Sequence, residues 1–301
     1  MKVFSAADLA KPTYRDYVEA LREAFKRDVT SPQRFMSETA PQTTLLVMPA
    51  WDKTFTGIKT VTVKSDNGAL GLPAVQGSYL LIDNATGAPV AVMDGTELTR
   101  RRTAAASALA ADYLARKESS TLLLVGAGSL APHFAKAHAA VRPIGRVLVY
   151  NRTTEKAVTV ATDIGGEAVT DLAKACAEAD IISGITSAQG AVILGRHIRA
   201  GTHLDLVGAY KPDMRETDGE AVAKSRAYVD SVDAAAHEAG DLLMAEKEGH
   251  FHMANIHGDL FGLCRGNVRG RKTDAEITLF KSSGLALEDL AAAAMVYLRA
   301  T

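Results

Sequence analysis

Residues 122–131, Leu122-Leu-Leu-Val-Gly126-Ala-Gly128-Ser129-Leu130-Ala131, constrain the fold of this chain more than any other stretch. An apolar strand running into Gly-x-Gly-x-x-Ala and then a helix is the turn on which a dinucleotide-binding βαβ unit is built. Gly126 permits the tight turn, and Gly128 lets a pyrophosphate approach the backbone. Ala131 lets the helix pack close to the strand. Ser129 and Leu130 complete the loop, and the free N–H groups at the helix start face the phosphates. Further strands are expected at 146–150, 181–184, 203–207 and 227–230, with helical segments between them. That alternation predicts an α/β fold with a doubly wound parallel sheet.

The end of the second strand selects the cofactor. An Asp or Glu there would hold a ribose 2′-hydroxyl, whereas an Arg accommodates a 2′-phosphate. The sequence reads Tyr150-Asn151-Arg152-Thr153, with no acid at the tip. Arg152, assisted by Asn151 and Thr153, predicts NADP(H), with NAD(H) the weaker alternative. An ordinary exposed loop arginine is the competing reading. Thr186, at another strand end, is a candidate on the cofactor side, equally explicable as a hydroxyl that caps its own loop.

The remainder is organised differently. Residues 8–28 carry one apolar stripe and predict a helix. Runs at 43–48, 57–64 and 76–83 are β-rich, and Asn84-Ala-Thr-Gly87 reads as a hairpin turn into Pro89-Val-Ala-Val-Met-Asp94. An antiparallel sheet with a leading helix accounts for 1–98. The Ala-rich stretch 103–115 favours helix, and the last thirty residues end in one more amphipathic helix. With 34 basic and 35 acidic residues, the chain lacks the basic excess of a nucleic-acid binder. It has no apolar run long enough for a signal peptide or a membrane span, and its two cysteines, Cys176 and Cys264, match no disulfide framework. A cytoplasmic protein is expected, with neither nucleic acid nor membrane as partner.

Four stretches, taken in order, resemble the ornithine cyclodeaminase/mu-crystallin family. They are Arg102-Thr103-Ala-Ala-Ala-Ser, the Gly126-Ala-Gly128 loop, Val207-Gly-Ala-Tyr-Lys-Pro-Asp-Met-Arg-Glu216, and Phe280-Lys-Ser-Ser-Gly-Leu-Ala-Leu-Glu-Asp289. The similarity runs from about Arg34 to the C-terminus. It implies that 1–104 plus 275–301 form an α+β substrate-binding and dimerisation domain, with a Rossmann dinucleotide-binding domain at 105–274 inserted into it. It also implies a homodimer. Family substrates carry a carboxylate beside the reacting carbon, and the matching basic positions here are Arg34, Lys59 and Arg102. A guanidinium offers a planar fork to a carboxylate, and lysine adds a point charge. Thr103 and Ser282 fall where family members approach the pyrophosphate and the nicotinamide, respectively. Alanine at Lys59 or Arg102 is expected to cost activity while sparing the fold.

The chain departs from the cyclodeaminase pattern at two positions. Tyr210 stands where cyclodeaminases carry an aspartate, and Leu130 replaces a glutamine of the glycine-rich loop. Both departures point toward a reductase of cyclic imino acids. The substrates would be Δ1-pyrroline-2-carboxylate and Δ1-piperideine-2-carboxylate, giving L-proline and L-pipecolate. An ornithine cyclodeaminase or amino-acid dehydrogenase is the alternative chemistry, and a non-catalytic NADP(H)-dependent small-ligand binding protein is the alternative class. Tyr210 reads as a pocket wall or a proton donor. His250, His252 and His257 match no closed zinc set, so no metal is expected. His133 and His138 are expected on a helix surface, and 238–248 as a solvated acidic helix face.

Overall fold

The computed structural model describes residues 1–64 and 66–301. The chain divides into two compact units, one of residues 1–103 with 284–301 and the other of 104–283.

The first unit begins with β1 (Lys2–Phe4), α1 (Ala6–Leu9) and α2 (Tyr14–Lys26). The single helix expected over 8–28 is therefore two. Pro12 disfavours helical backbone at Lys11, and Thr13 starts a new helix through a reciprocal capping box with Asp16. On α2 the buried face is Tyr14, Tyr17, Val18, Leu21, Ala24 and Phe25, spaced at helical period. There follow β2 (Phe35–Ala40), β3 (Thr43–Trp51), β4 (Phe55–Lys64), β5 (Val75–Asp83) and β6 (Pro89–Asp94). Among the described residues these form one six-stranded sheet, ordered β1-β6-β5-β4-β3-β2. It is antiparallel except where β1 pairs in parallel with β6, so the sheet is mixed rather than purely antiparallel. On β4 the inward residues are Phe55, Gly57, Lys59 and Val61. The period-2 alternation of a strand thus sends a lysine into the core. The expected 103–115 helix is the second half of α3 (Gly95–Leu114), which carries the chain from one unit into the next.

The second unit contains β7 (Thr121–Val125), α4 (Ala131–Ala139), β8 (Arg146–Tyr150), α5 (Thr154–Ile164), β9 (Glu167–Ala168), α6 (Leu172–Glu178) and β10 (Ile181–Gly184). It continues with β11 (His203–Leu206), α7 (Gly219–Ala223), β12 (Ser225–Val229), α8 (Val232–Glu238), α9 (Gly240–Lys247), α10 (Leu260–Arg265) and β13 (Ile277–Lys281). Its strands form a parallel sheet in the order β12-β13-β11-β10-β7-β8-β9. Strand β13 corrects the domain boundary expected at 274–275. It pairs with both β11 and β12, so the doubly wound sheet is incomplete without residues 277–281. Thr278 and Lys281 hide the strand in sequence, although both are fully buried. The chain then returns to the first unit as α11 (Ala286–Arg299), which packs on α2, β3 and β4.

Two surface expectations fail. His138 is fully buried, its Nε2 lying 3.2 Å from Asp205 Oδ2 and 3.1 Å from Ser183 Oγ. Sealed from substrate, that serine–histidine–aspartate contact braces the sheet. Asp241, inside the stretch expected to be solvated, is 1% exposed and accepts the N–H groups of Glu216 and Thr217. Cys176 and Cys264 are both buried, and neither is in a disulfide among the described residues. Among the described residues no helix is long and apolar enough to cross a membrane, and no three His, Cys, Asp or Glu side chains gather as metal ligands.

Candidate active site

The second unit holds a cleft of about 720 Å³ at the C-terminal ends of β7, β8 and β10. Gly126 sits at φ +119°, and a Cβ there would come within 2.8 Å of the Ile185 carbonyl oxygen, so only glycine fits. A Cβ on Gly128 would instead meet nothing within 4 Å, which leaves the backbone bare toward the cleft. Ser129 and Leu130 lead from the cleft into α4, whose N-terminus has no side-chain cap. The Ala131 N–H is taken by the Gly128 carbonyl (3.1 Å), Pro132 has no N–H, and the His133 N–H is taken by the Leu130 carbonyl (3.0 Å). Backbone donors to an anion would therefore come from the loop 128–130 rather than from the first turn of the helix. Ala131 is fully buried, as close packing of helix on strand requires.

At the far side of the cleft, Asn151 braces the loop. It accepts the Ala127 N–H at 3.2 Å and donates to the Thr153 carbonyl at 3.0 Å. Thr153 begins α5 without capping it. Arg152 lines the cleft, exposed and without a hydrogen bond or ion pair among the described residues. Lys156, which the sequence reading did not single out, lines the same wall. A second basic residue four positions after Arg152 was the visible sign. Across the cleft, Thr186 donates both its N–H (2.7 Å) and its hydroxyl (2.9 Å) to Glu216 Oε1. Its hydroxyl also accepts from the Ala188 N–H, so the residue both lines the cleft and organises its own loop.

Ser282 and Thr103 are absent from the cleft's lining. Ser282 is buried and donates to Asp230 Oδ2 at 3.3 Å, beside the Ser283 N–H at 2.6 Å. Thr103 is buried on α3, the last residue of the first unit. Tyr210 is 37% exposed, with the Lys211 ammonium 5.7 Å from its ring centre.

Within the first unit, the three basic residues singled out from sequence converge. Lys59 Nζ lies 2.7 Å from Asp289 Oδ2. Arg102 donates from Nε to Asp289 Oδ1 at 3.0 Å and from NH1 to Glu288 Oε2 at 2.6 Å. Arg34 donates to the Gly284 carbonyl at 2.7 Å, and its charge acts on Lys59. Burial, and then Arg102, lower the Lys59 pKa to about 8 against the pull of Asp289. Burial works against the charge of Arg102 too, but Asp289 and Glu288 outweigh it and hold the guanidinium firmly protonated. Lys59 and Arg102 are not surface charges, being 2% and 6% exposed. The expectation that alanine at Arg102 would spare the fold therefore fails: it would take one charged partner from each of two fully buried carboxylates, Glu288 and Asp289. Glu288 and Asp289 escaped notice as ion-pair partners. An acidic pair inside the run Leu285-Ala-Leu-Glu-Asp-Leu-Ala-Ala was the visible sign, and their place in the first turn of α11 suits the helix dipole.

The sequence profile of the ornithine cyclodeaminase/mu-crystallin family matches residues 5–301. The chain is 39% identical to the Delta(1)-pyrroline-2-carboxylate reductase of Paracoccus denitrificans, over 94% of this chain and 92% of that protein. Its structure superposes on Thermococcus litoralis Delta(1)-pyrroline-2-carboxylate reductase, solved with NADH and L-proline, with a TM-score of 0.93 at 36% identity, covering 100% of this chain and 97% of the other. An archaeal alanine dehydrogenase dimer with bound NAD gives 0.92 at 30% identity, covering 100% and 96%.

Proposed function

We propose that this chain, which belongs to the ornithine cyclodeaminase/mu-crystallin family, reduces cyclic imino acids with NADPH. Δ1-Pyrroline-2-carboxylate would give L-proline, and Δ1-piperideine-2-carboxylate would give L-pipecolate. The observation that carries this reading is the buried Lys59–Arg102 pair with Arg34 beside it. Buried charges are costly to keep, and the three cations outnumber the two carboxylates set against them, Glu288 and Asp289. That excess fits a substrate whose fixed feature is a carboxylate. The similarity to the reductase solved with L-proline supports the same substrate class.

The cleft fits a dinucleotide: a bare Gly128 backbone, and an Arg152 that makes no hydrogen bond or ion pair among the described residues. When bound, the nicotinamide supplies a hydride, which goes to C2 of the protonated C=N bond and leaves a secondary amine. Arg34, Lys59 and Arg102 hold the carboxylate and so fix which face of the imine is offered. Most of the rate gain is positioning. Arg152 and Lys156, with no acid at the β8 tip, support NADPH over NADH.

A cyclodeaminase must also release ammonia, a task suited to a carboxylate and not to the phenol of a tyrosine. L-Ornithine is therefore expected to yield no ammonia above background. Tyr210, partly exposed, serves as a wall, and Tyr210→Phe should keep kcat within about threefold of wild type, the scale of a lost weak contact. A loss of several hundredfold would instead make its hydroxyl the proton donor.

The homodimer belongs to the same proposal. On the edge strand β2, Phe35 is 57% exposed and Met36 58%. Exposed apolar edges of this kind invite a partner. Light scattering should give twice the 31.8 kDa chain mass, and Phe35→Lys with Met36→Lys should shift it to one.

A further inference from the structure

The cleft loop 185–193 between β10 and the 193–217 bridge is tied at both ends to a single residue, Glu216. At one end its carboxylate takes the Thr186 N–H and hydroxyl on Oε1. At the other its main-chain carbonyl accepts the N–H groups of Val192 and Ile193, both at 2.9 Å. Oε2 accepts from Val207 (3.1 Å) and Gly208 (2.6 Å), which start the loop after β11. Thr186 and Val192 themselves line the cleft. Two glycines make room for the carboxylate. A Cβ on Gly184 would come within 3.0 Å of it, and one on Gly208 within 2.6 Å of Oε1 and 1.8 Å of the Thr186 carbonyl. Glu216 is fully buried, and Asp241, whose Oδ1 takes the Glu216 N–H at 2.7 Å, anchors it from α9.

We propose that Glu216 is a positioning residue that holds the β10-side wall of the cleft in its cofactor-binding shape, and does so only as a carboxylate. The proposal rests on reading the cleft as the dinucleotide site. With phosphates at Gly126–Gly128 and the 2′-position at Arg152 beyond β8, the β10 side takes the nicotinamide half. The charge requirement follows from donor counting. Four donors converge on the two oxygens, and three of them are backbone N–H groups that cannot accept. A protonated carboxyl could therefore place its O–H only on the Thr186 hydroxyl, which would have to turn from donor to acceptor. Thr186 would then lose the charge-assisted hydroxyl bond that anchors it.

The charged groups facing Glu216 are Asp241 on α9 and Lys281 on β13, the latter with Nζ 3.3 Å from Asp241 Oδ2. Burial, and then Asp241, raise the Glu216 pKa to about 7, against Lys281 and the N–H groups of Thr186 and Gly208. The sign follows directly: above this pH the carboxylate form prevails, and as pH falls through it the anchor is lost. If only the ionised form binds, the apparent Kd scales with the inverse of its fraction, roughly tenfold weaker one unit below the pKa.

NADH, which lacks the titrating 2′-phosphate, is the suitable probe. Its Kd is measured by fluorescence from pH 6 to 8.5 on the full chain, for wild type, Glu216→Gln, Glu216→Asp, Thr186→Val and Gly128→Val. Wild type should weaken roughly tenfold from pH 8 to pH 6. Glu216→Gln should bind at least tenfold more weakly at pH 8 and lose the pH dependence, whereas Glu216→Asp should keep it. A Kd for wild type that does not change with pH, or a folded Glu216→Gln that binds as wild type, overturns the proposal. Should circular dichroism show Glu216→Gln unfolded, the wild-type profile and Thr186→Val decide, the latter expected to bind severalfold more weakly. Wild type binding no nicotinamide nucleotide, or Gly128→Val binding like wild type, would sink the reading of the cleft itself and the role of Glu216 with it.

Discussion

Replacing Arg102 with alanine is expected to cost both stability and activity, and the two losses can be separated. Arg102 bridges Glu288 and Asp289, all three buried. Removing one partner of such a network leaves uncompensated charge in the core, a penalty of roughly 3–5 kcal/mol. Lost charged hydrogen bonding to the substrate carboxylate should lower kcat/KM by ~2–4 kcal/mol, roughly thirtyfold to a thousandfold. Adding Glu288→Gln to Arg102→Leu, which leaves the Lys59–Asp289 pair intact, should restore much of the melting temperature without restoring kcat/KM. Lys59→Met breaks a buried ion pair of the same network. It too should lower the melting temperature, though less than Arg102→Ala because Asp289 keeps Arg102; kcat/KM per folded molecule should fall. Because burial and Arg102 hold Lys59 near a pKa of about 8, the wild-type kcat/KM should decline as pH rises through that value. Below it the ammonium is charged and holds the carboxylate; above it the charge is lost. Lys59→Arg should abolish that decline. Equal kcat/KM in Lys59→Met and wild type would show that the cluster serves the fold alone.

Arg152→Asp is expected to reverse the cofactor choice. Arg152 stands at the cleft with no hydrogen bond or ion pair among the described residues, and Lys156 lines the same wall. An aspartate there would repel a 2′-phosphate and offer an acceptor to a 2′-hydroxyl. Loss of one charge-assisted contact is worth roughly 1.5–3 kcal/mol, so NADPH should bind about ten- to hundredfold more weakly, with NADH unchanged or improved. Lys156→Ala should act in the same direction and less strongly. Equal use of NADPH and NADH by wild type would return Arg152 to an ordinary loop charge.

The parts of this molecule readable from sequence are those in which local chemistry and global fold agree. The strand Thr121–Val125, the positive-φ Gly126 and the buried Ala131 each follow from a local requirement that residue type reveals. The β-rich runs of the first unit alternate cleanly enough for their strands to be placed, and Pro12 needed only to be weighed against the helical stripe around it. What stayed hidden depends on tertiary partners. Strand β13 carries Thr278 and Lys281 into a fully buried position, so its pattern does not read as a core strand. Asp241 looks like one more acid on a polar helix until Glu216 and Lys281 are seen against it. For the basic cluster, residue type and motif placed Arg34, Lys59 and Arg102 together, but not the carboxylates that hold them. Glu288 and Asp289 lie 186 and 187 residues further along the chain than Arg102, a separation no local pattern records. Ser282 and Thr103 were named from motif position alone, and their side chains are turned into the protein interior.

The central claim is that the chain reduces a preformed cyclic imine with NADPH, and the most direct measurement is NADPH absorbance during incubation of purified protein with Δ1-pyrroline-2-carboxylate. The expected result is steady NADPH oxidation with stoichiometric L-proline, faster than with NADH and abolished in Gly128→Val. Tight NADPH binding without oxidation, across cyclic imines and 2-oxo acids alike, would contradict it and leave a protein that binds the cofactor without turning it over.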